Sequence, residues 1–417
     1  MSINQVINKD CILTINAGSS SIKYKVFTQQ NNHQMTPLLS GLIEGITEEA
    51  GLWHHYREHK EQRSHHFINH QEAFAALAKQ LQLDLVNKTI VGVGHRVVHG
   101  GPHLWQPTII TPEILKEIKA LAKLAPLHNP INAAGIEYAQ TYFKEAIHVA
   151  IFDTGFHHTM PKHTHSYAID AHLAQQLNIR RYGFHGINHE YVSYEAAKFL
   201  EKPLSACHFI SLHLGNGASA CLIKNGKSFD TSMGMTPLAG LIMGTRCGDI
   251  DPAIPIYLQE QGLELSTVNT VLNKQSGLKG IANNNDMRAV LENFHAGDEN
   301  AILAINMYVY AIQKIIGAYL TQVNKLDALI FTGGVGENSA FIRAKIISSL
   351  KHFGFILDND LNQKNKQKEC SVISKCEAPI LIVPSDEEKW IMQKVFEKLT
   401  CESKSLLPIL NSIKRPK

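Results

Sequence analysis

The stretch that most constrains the fold is residues 209–223, FISLHLGNGASACLI. Apolar strand residues run into Gly215-Asn216-Gly217-Ala218-Ser219 and then into a second apolar strand. Two glycines one residue apart let the backbone turn tightly and approach a bulky anion without Cβ interference. Amide groups exposed in such a turn form a cradle for phosphate oxygens. The same grammar occurs at residues 12–27, ILTINAGSSSIKYKVF, where Ile15-Asn16-Ala17-Gly18-Ser19 lines up with Leu212-His213-Leu214-Gly215-Asn216. Strand, small-polar glycine turn and strand thus appear twice, about 200 residues apart. The repeat predicts a duplicated domain whose halves each present a hairpin turn to one nucleotide held between them.

A chain of 417 residues exceeds what one core usually organises, so two domains are expected. Hydrophobic residues make up 44% and charged residues 18%, a globular balance, and a net charge of +3 argues for neither nucleic acid nor an anionic membrane as partner. Seven scattered cysteines do not make a disulfide framework. The histidine pairs at 54–55, 65–66 and 157–158 have no C-x-x-C beside them, and structural zinc is not expected. Polar Asn4, Gln5, Asn8 and Asp10 do not resemble a secretory signal. The apolar stretch 301–320 contains Asn306, Gln313 and Lys314 and reads as an amphipathic or buried helix, not a membrane span. A cytoplasmic protein is expected.

Periodicity places helices at 71–83, 111–124, onward through 143, and at 188–200, 263–272, 286–293 and 301–324. A last helix is expected to end near 399, with a loose tail beyond 400. Buried strands are expected at 90–98, 148–152, 328–332 and 380–383. Between 29 and 70 the pattern is vague: a polar turn at 29–34, then an alternating, histidine-rich run from 51. The irregular segment 157–169 is the expected domain crossover. Strands alternating with helices imply α/β architecture.

Glycine-rich turns follow predicted strands at Gly18, Gly100-Gly101, Gly215–Gly217 and Gly333–Gly336. Four in one chain, flanked by Asn, Ser or Thr, favour a nucleotide site. There is no GxxxxGK[ST], and Gly334-Val335-Gly336 continues as Glu337-Asn338-Ser339 rather than opening a GxGxxG unit. Phosphoryl transfer needs charge neutralisation, an oxygen-ligated metal and an in-line nucleophile. Arg96 and Arg246 lie in glycine-containing loops, where a guanidinium can hold a carboxylate or phosphoryl group bidentately. Asp153 ends a buried strand and Glu387 follows the last one, positions where a carboxylate needs a partner or a metal. His185, between Phe184 and Gly186, can donate to a developing anion.

The segments NAGSSSIK (16–23), GHRVVHGG (94–101), YGFHG (182–186), HLGNGAS (213–219), GTRCGDIDP (244–252) and FTGGVGEN (331–338) resemble the acetate kinase family in content and order. The resemblance implies two duplicated RNase-H-like, actin-like ATPase domains around a nucleotide cleft. These would be residues 1–156 with 389–417, and residues 157–388. It implies a homodimer and reversible Mg²⁺-dependent phosphoryl transfer between ATP and acetate, giving ADP and acetyl phosphate, with Mn²⁺ as an alternative metal. By matching motif, Asn16 and Glu387 would hold the metal, and Ser19, Ser21 and Lys23 would face the phosphates. Arg96 would bind the substrate carboxylate. Asp153, His185 and Arg246 would be catalytic. Val98, Leu127, Phe184 and Pro237 would line the methyl pocket. His213, Leu214, Gly215, Asn216 and Gly217 would bind nucleotide, as would Asp286, Met287 and Arg288, and Gly334, Val335, Gly336, Glu337 and Asn338. The chain departs from the family pattern at Ala239, at Pro102 and at Lys389-Trp390.

Two other readings are compatible with these residues. A propionate or other short-chain acyl kinase would use the same arginines, with Val98 limiting the acyl chain. A nucleotide-gated binding protein of the actin or heat-shock-chaperone type would use the same turns, but the chain shows no appended partner-binding module.

Overall fold

The two glycine-turned hairpins each open a sheet. The computed structural model describes residues 10–29, 35–48, 51–57, 60–126, 128–364 and 369–413. It divides into two compact units, Met1–Gly155 with Asp386–Lys417, and Phe156–Ser385.

In the first unit, β1 (Asp10–Ala17) and β2 (Ser21–Gln29) pair antiparallel with Asn16 opposite Lys23. The turn closes through the Gly18 N–H donating to the Ser21 carbonyl at 2.8 Å. The sheet continues with β3 (Met35–Glu44), β4 (Leu52–Tyr56), β5 (Lys60–Ser64), β6 (Thr89–Val97), β7 (Thr108–Ile109) and β8 (Ile147–Phe152). Its order is β5-β4-β3-β2-β1-β6-β8-β7, with β1, β6 and β8 parallel. Helix α1 (His70–Asp84) buries Ala73, Phe74, Leu77, Ala78 and Leu81, the helical spacing read in the sequence, and Asn69 caps it by accepting the Glu72 N–H. Two further helices, α2 (Pro112–Ala120) and α3 (Asn129–Tyr142), follow β7.

The second unit repeats the pattern. Strands β9 (His208–Leu214), β10 (Ala218–Lys224), β11 (Lys227–Thr231), β12 (Ala328–Thr332), β13 (Ser371–Val372) and β14 (Ile380–Ile382) are ordered β11-β10-β9-β12-β14-β13. Strand β9 is antiparallel to β10 and parallel to β12, which is parallel to β14. Thus β3-β2-β1-β6-β8 and β11-β10-β9-β12-β14 follow one topology, and the expected duplication of an α/β unit stands. The labelled helices here are α4 (Gly186–Phe199), α5 (Met287–His295), α6 (Glu299–Leu320), α7 (Gly333–Asn338) and α8 (Ala340–Ser348). Among the described residues, α6 is the one helix long and apolar enough to cross a membrane by length and composition. Its Ala301, Ala304, Ile305, Tyr308, Val309, Ile312, Ile316 and Tyr319 are buried in the unit.

Three expectations differ from the structure. The vague region holds three strands, β3 to β5, whose pattern is broken by Pro37 and Gly41. A Cβ at Gly41 would run into the Tyr24 ring, and the Tyr24 hydroxyl meets His55 Nδ1 at 2.8 Å while accepting from Trp53 Nε1 at 2.9 Å. The histidine-rich run is therefore partly a core hydrogen-bond network. The turn read at Gly333–Gly336 is the start of α7, with Gly333 at φ +77°. The last helix, α9 (Glu387–Ile413), runs past the expected end near 399. Its early turns lie on β6, where Cβ atoms at Gly92 and Gly94 would strike Leu399, Val395 and Ile391.

Candidate functional site

In the first unit the ends of β1, β6 and β8 bring Asn16, Arg96 and Asp153 together, as adjacent parallel strands must. Arg96 Nη2 donates to Asp153 Oδ2 at 2.6 Å, and Nη1 to Asn16 Oδ1 at 3.3 Å. Arg96 Nε is buried with no acceptor among the described residues, and Glu387 Oε2 stands 3.8 Å from it. Asp153 is 1% exposed, and that guanidinium is paired with it in the interior. Burial pushes the Glu387 carboxyl up to about 7, against the pull of Arg96 and with added repulsion from Asp153 and Glu388. Three consecutive acids at the start of α9 each face a cation. Asp386 accepts from Lys25 at 2.9 and 3.0 Å, Glu387 faces Arg96, and Glu388 pairs with Lys23 at 2.8 Å. Lys23, expected at the phosphates, is engaged with Glu388. Ser19 is exposed at the hairpin turn, and Ser21 begins β2.

The residues after β6 are held by side chains the sequence reading missed. Asn132 accepts the Val98 N–H at 3.0 Å and donates to the Ala17 carbonyl at 3.0 Å. Asn129 accepts the His99 N–H at 3.1 Å and returns a bond to the His99 carbonyl at 2.9 Å. Thr154 Oγ1 accepts the Gly100 N–H at 3.1 Å. Their signal was Asn129 and Asn132 three apart at a helix start, a spacing that puts both on one face. Val98 is buried in this unit; Phe184, also buried, and half-buried Pro237 belong to the other. Leu127 lies outside the described residues.

In the second unit His185 takes a left-handed backbone (φ +55°) immediately before α4. Its ring stacks on His213 with centroids 4.2 Å apart, and its Nδ1 meets Ser219 Oγ at 2.9 Å. A Cβ on Gly217 would lie 3.3 Å from His185 Nε2 and 3.7 Å from Arg246 Nη1, so these three groups converge and a side chain at 217 would crowd them. Arg246 is aimed by bonds from Nη1 to the Pro237 carbonyl at 3.1 Å and to Met243 Sδ at 3.6 Å. Pro237 thereby holds a catalytic candidate through its backbone.

A cavity of about 640 Å³ is lined by Gly215, Asn216, Asp286, Met287, Arg288, Gly334, Val335 and Asn338, all expected from sequence, and by Leu278, Asn285, Leu291 and Ser339, which were not. Apolar Leu278, Met287, Leu291 and Val335 suit a flat base, and the amides and carboxylate suit a sugar. Five expected residues are outside this lining: His213 and Gly217 stand beside His185, and three others are buried or turned inward. Leu214 is fully buried, Gly336 is buried, and Glu337 turns inward. Glu337 Oε1 accepts the N–H groups of Gly333 and Ser385, each at 2.9 Å, and burial raises its pKa. Arg343 on α8, 1% exposed, clamps the other end of α7 through the Gly336 and Glu337 carbonyls at 2.8 Å. It also donates to Asn362 Oδ1 at 2.7 Å and to the Asn362 carbonyl at 2.8 Å. A lone arginine in the apolar stretch AFIRAKIIS was its only sequence signal.

Two units of one topology, each opened by a glycine-turned hairpin, define the actin-like ATPase fold. The acetokinase family profile matches residues 11–393. An acetate kinase of Sulfurovum is 44% identical over 92% of this chain and 97% of its own, and acetate kinase 2 of Vibrio cholerae is 44% identical over 93% and 99%. Among solved structures, a propionate kinase from Francisella tularensis superposes with TM-score 0.88 at 42% identity, covering 93% of this chain and 99% of its own. Porphyromonas gingivalis acetate kinase gives 0.85 at 35%, covering 94% and 100%. The chain belongs to the acetokinase family, whose members are phosphotransferases acting on acetate with ATP or ADP as the nucleotide.

Proposed function

We propose that this chain is a kinase that transfers the γ-phosphoryl group of ATP to acetate, reversibly. The observation that carries the reading is Arg96. It is a half-buried guanidinium pinned by Asp153 and Asn16 with its buried Nε donor unspent, a receptor for one carboxylate. In the reaction a carboxylate oxygen of acetate attacks the γ-phosphorus. The bond to the bridging oxygen breaks, and ADP leaves with that electron pair. No proton is removed from acetate, so Asp153 orients Arg96 and need not act as a strong base. In the second unit, Arg246 and His185 offer cationic and N–H donors to phosphoryl oxygens, and the cavity beside Gly215 and Gly334 takes the nucleoside.

Asn16 and Glu387 fit Mg²⁺. They offer oxygen donors only, and the buried Glu387 carboxyl, crowded by Asp153 and Glu388, is a group whose ionised form a divalent cation would stabilise. A sparse protein set is what Mg²⁺ uses when phosphates and water complete its shell. Bound there, the ion would neutralise charge on the phosphates. A cytoplasmic homodimer is part of this reading, on the resemblance. Exposed Leu303, Met307 and Tyr310 along one stripe of α6 give a second copy an apolar surface, and sedimentation velocity tests it.

A propionate preference is favoured by one observation, the likeness to the Francisella propionate kinase. Trapping acyl phosphate as the hydroxamate, with ATP, Mg²⁺ and acetate, propionate or butyrate, separates the two. The strongest trapping is expected with acetate. A propionate maximum would keep the mechanism and change the substrate, and no trapping with any acid would sink the kinase reading.

A further inference from the structure

Behind His185 lies a line of buried hydroxyls and rings with no role in the reaction as derived above. Ser219 Oγ stands between two histidines, 2.9 Å from His185 Nδ1 and 2.8 Å from His189 Nε2. His189 Nδ1 in turn meets Ser211 Oγ at 2.7 Å. Ser211, Ser219 and His189 are fully buried. They sit on β9, β10 and α4, so the line crosses three elements of the second unit.

We propose that Ser211, His189 and Ser219 form a one-way hydrogen-bond relay that fixes His185 as its Nε2–H tautomer, with that donor on the side of Gly217 and Arg246. This rests on the reading of His185 as a donor to the transferring phosphoryl group.

The direction follows from counting hydrogens. A serine hydroxyl has one hydrogen, and a neutral imidazole has one N–H and one acceptor nitrogen. Burial, with His157 and His213 nearby, holds the His189 pKa well below its ordinary value, so His189 is neutral. In one direction Ser211 O–H donates to His189 Nδ1, His189 Nε2–H to Ser219 Oγ, and Ser219 O–H to His185 Nδ1. Every hydrogen then has an acceptor, and His185 carries its own on Nε2. Reversed, His185 Nδ1–H donates to Ser219, Ser219 to His189 Nε2, and His189 Nδ1–H to Ser211. The Ser211 hydroxyl hydrogen would then need a further acceptor, and among the described residues Ser211 Oγ has none besides His189. A buried donor without an acceptor is costly, whereas a spare lone pair on a hydroxyl is not. The first direction therefore prevails. It puts an N–H at the ring nitrogen that lies 3.3 Å from where a Gly217 Cβ would be, beside Arg246.

Ser211, His189 and Ser219 are thus positioning residues, acting through His185. The test is the ring ¹⁵N spectrum of histidine-labelled protein at pH 8, with His185 assigned by loss of its signals in His185→Gln. Native protein is expected to show His185 as the Nε2–H tautomer. In Ser219→Ala the Nδ1–H form is expected to appear. Deleting one preorganised donor to a developing anion costs roughly 100- to 1,000-fold in kcat. Ser219→Ala loosens that donor without deleting it, so a fall in kcat of roughly tenfold or more is expected, with the KM values for ATP and acetate within twofold. Ser211→Ala, further back along the line, is expected to lower kcat less, and Ser211→Thr, which keeps the hydroxyl, to restore it. A native spectrum showing Nδ1–H would overturn the direction of the relay. Native kcat and tautomer in Ser219→Ala would overturn the relay itself. So would a fall in kcat accompanied by higher KM for both substrates and a lower unfolding temperature, which marks a packing defect. If native protein forms no acyl phosphate, the kinase reading fails while the tautomer measurement still judges the relay.

Discussion

Replacing Arg96 by alanine separates the two duties assigned to it, holding the first unit's carboxylates together and binding the substrate. The side chain is 18% exposed, and its partner Asp153 is 1% exposed, so this is a buried pair. Removing one member of a buried pair costs roughly 3–5 kcal/mol, because the other charge is left uncompensated. For a unit of this size about 1 kcal/mol moves the midpoint by roughly 2–4 °C, so Arg96→Ala should unfold roughly 10 °C lower. The loss has a pH signature. Glu387 already has a folded-state pKa of about 7 against an ordinary 4.5, so the folded chain binds its proton more tightly than the unfolded chain does. Stability therefore falls as pH rises from about 4.5 through about 7. Arg96 is the main charge opposing that rise, so its removal lifts Glu387 further, and the deficit of the variant should be larger at pH 8 than at pH 6. The catalytic loss is separate. A hydrogen bond to a charged group contributes about 1.5–3 kcal/mol, so each bond lost to the acetate carboxylate should lower kcat/KM roughly 10- to 150-fold. Thermal unfolding at the two pH values reads the first duty, and hydroxamate formation across an acetate titration reads the second. ADP affinity should hold, because the cavity proposed for the nucleoside is lined by the other unit. A variant with near-native kcat/KM for acetate would show that the carboxylate is held elsewhere. A native unfolding temperature would refute the buried-pair argument.

Val98→Ala should raise the propionate-to-acetate ratio of kcat/KM roughly tenfold, the scale of one methylene in an apolar pocket, and an unchanged ratio removes Val98 from substrate contact. Glu387→Gln should abolish Mg²⁺-dependent turnover yet raise the unfolding temperature of the metal-free protein at pH 8 and not at pH 5, since it deletes a buried ionised carboxyl; equal shifts at both pH values would contradict the raised pKa. Arg343→Met should weaken ADP binding roughly tenfold or more by leaving the carbonyls of Gly336, Glu337 and Asn362 unpaired, while the acetate KM holds; equilibrium binding of ADP decides it, and native affinity would free α7 from any dependence on Arg343.

What was legible in the sequence and what was not divide along physical lines. The duplicated hairpins were readable because a glycine turn between apolar strands has few alternatives, and their pairing, Asn16 opposite Lys23 and His213 opposite Ser219, follows from the turn. Arg96, Asp153 and Asn16 were readable because each sits at a strand end, and adjacent parallel strands carry their ends to one place. Strands β3 to β5 escaped because Pro37 and Gly41 break their alternation, and Gly41 is there for the Tyr24 ring, a partner fixed only by the sheet. Charge alone cannot say which of several anions Lys23 meets; the fold supplies Glu388 at 2.8 Å. The resemblance points Glu337 at the nucleotide through its glycine motif; in the fold it lies on a short helix and accepts the Gly333 and Ser385 amides. The residues given no role from sequence, Asn129, Asn132, Ser219, His189 and Arg343, are buried polar groups satisfied by partners on other elements. Local pattern cannot reveal them, since what makes each affordable inside the protein is a register or crossing that exists only after folding. They hold bonds to the candidate residues or to the loops that carry them, so the candidates can be picked out from the sequence and their orientation only from the fold.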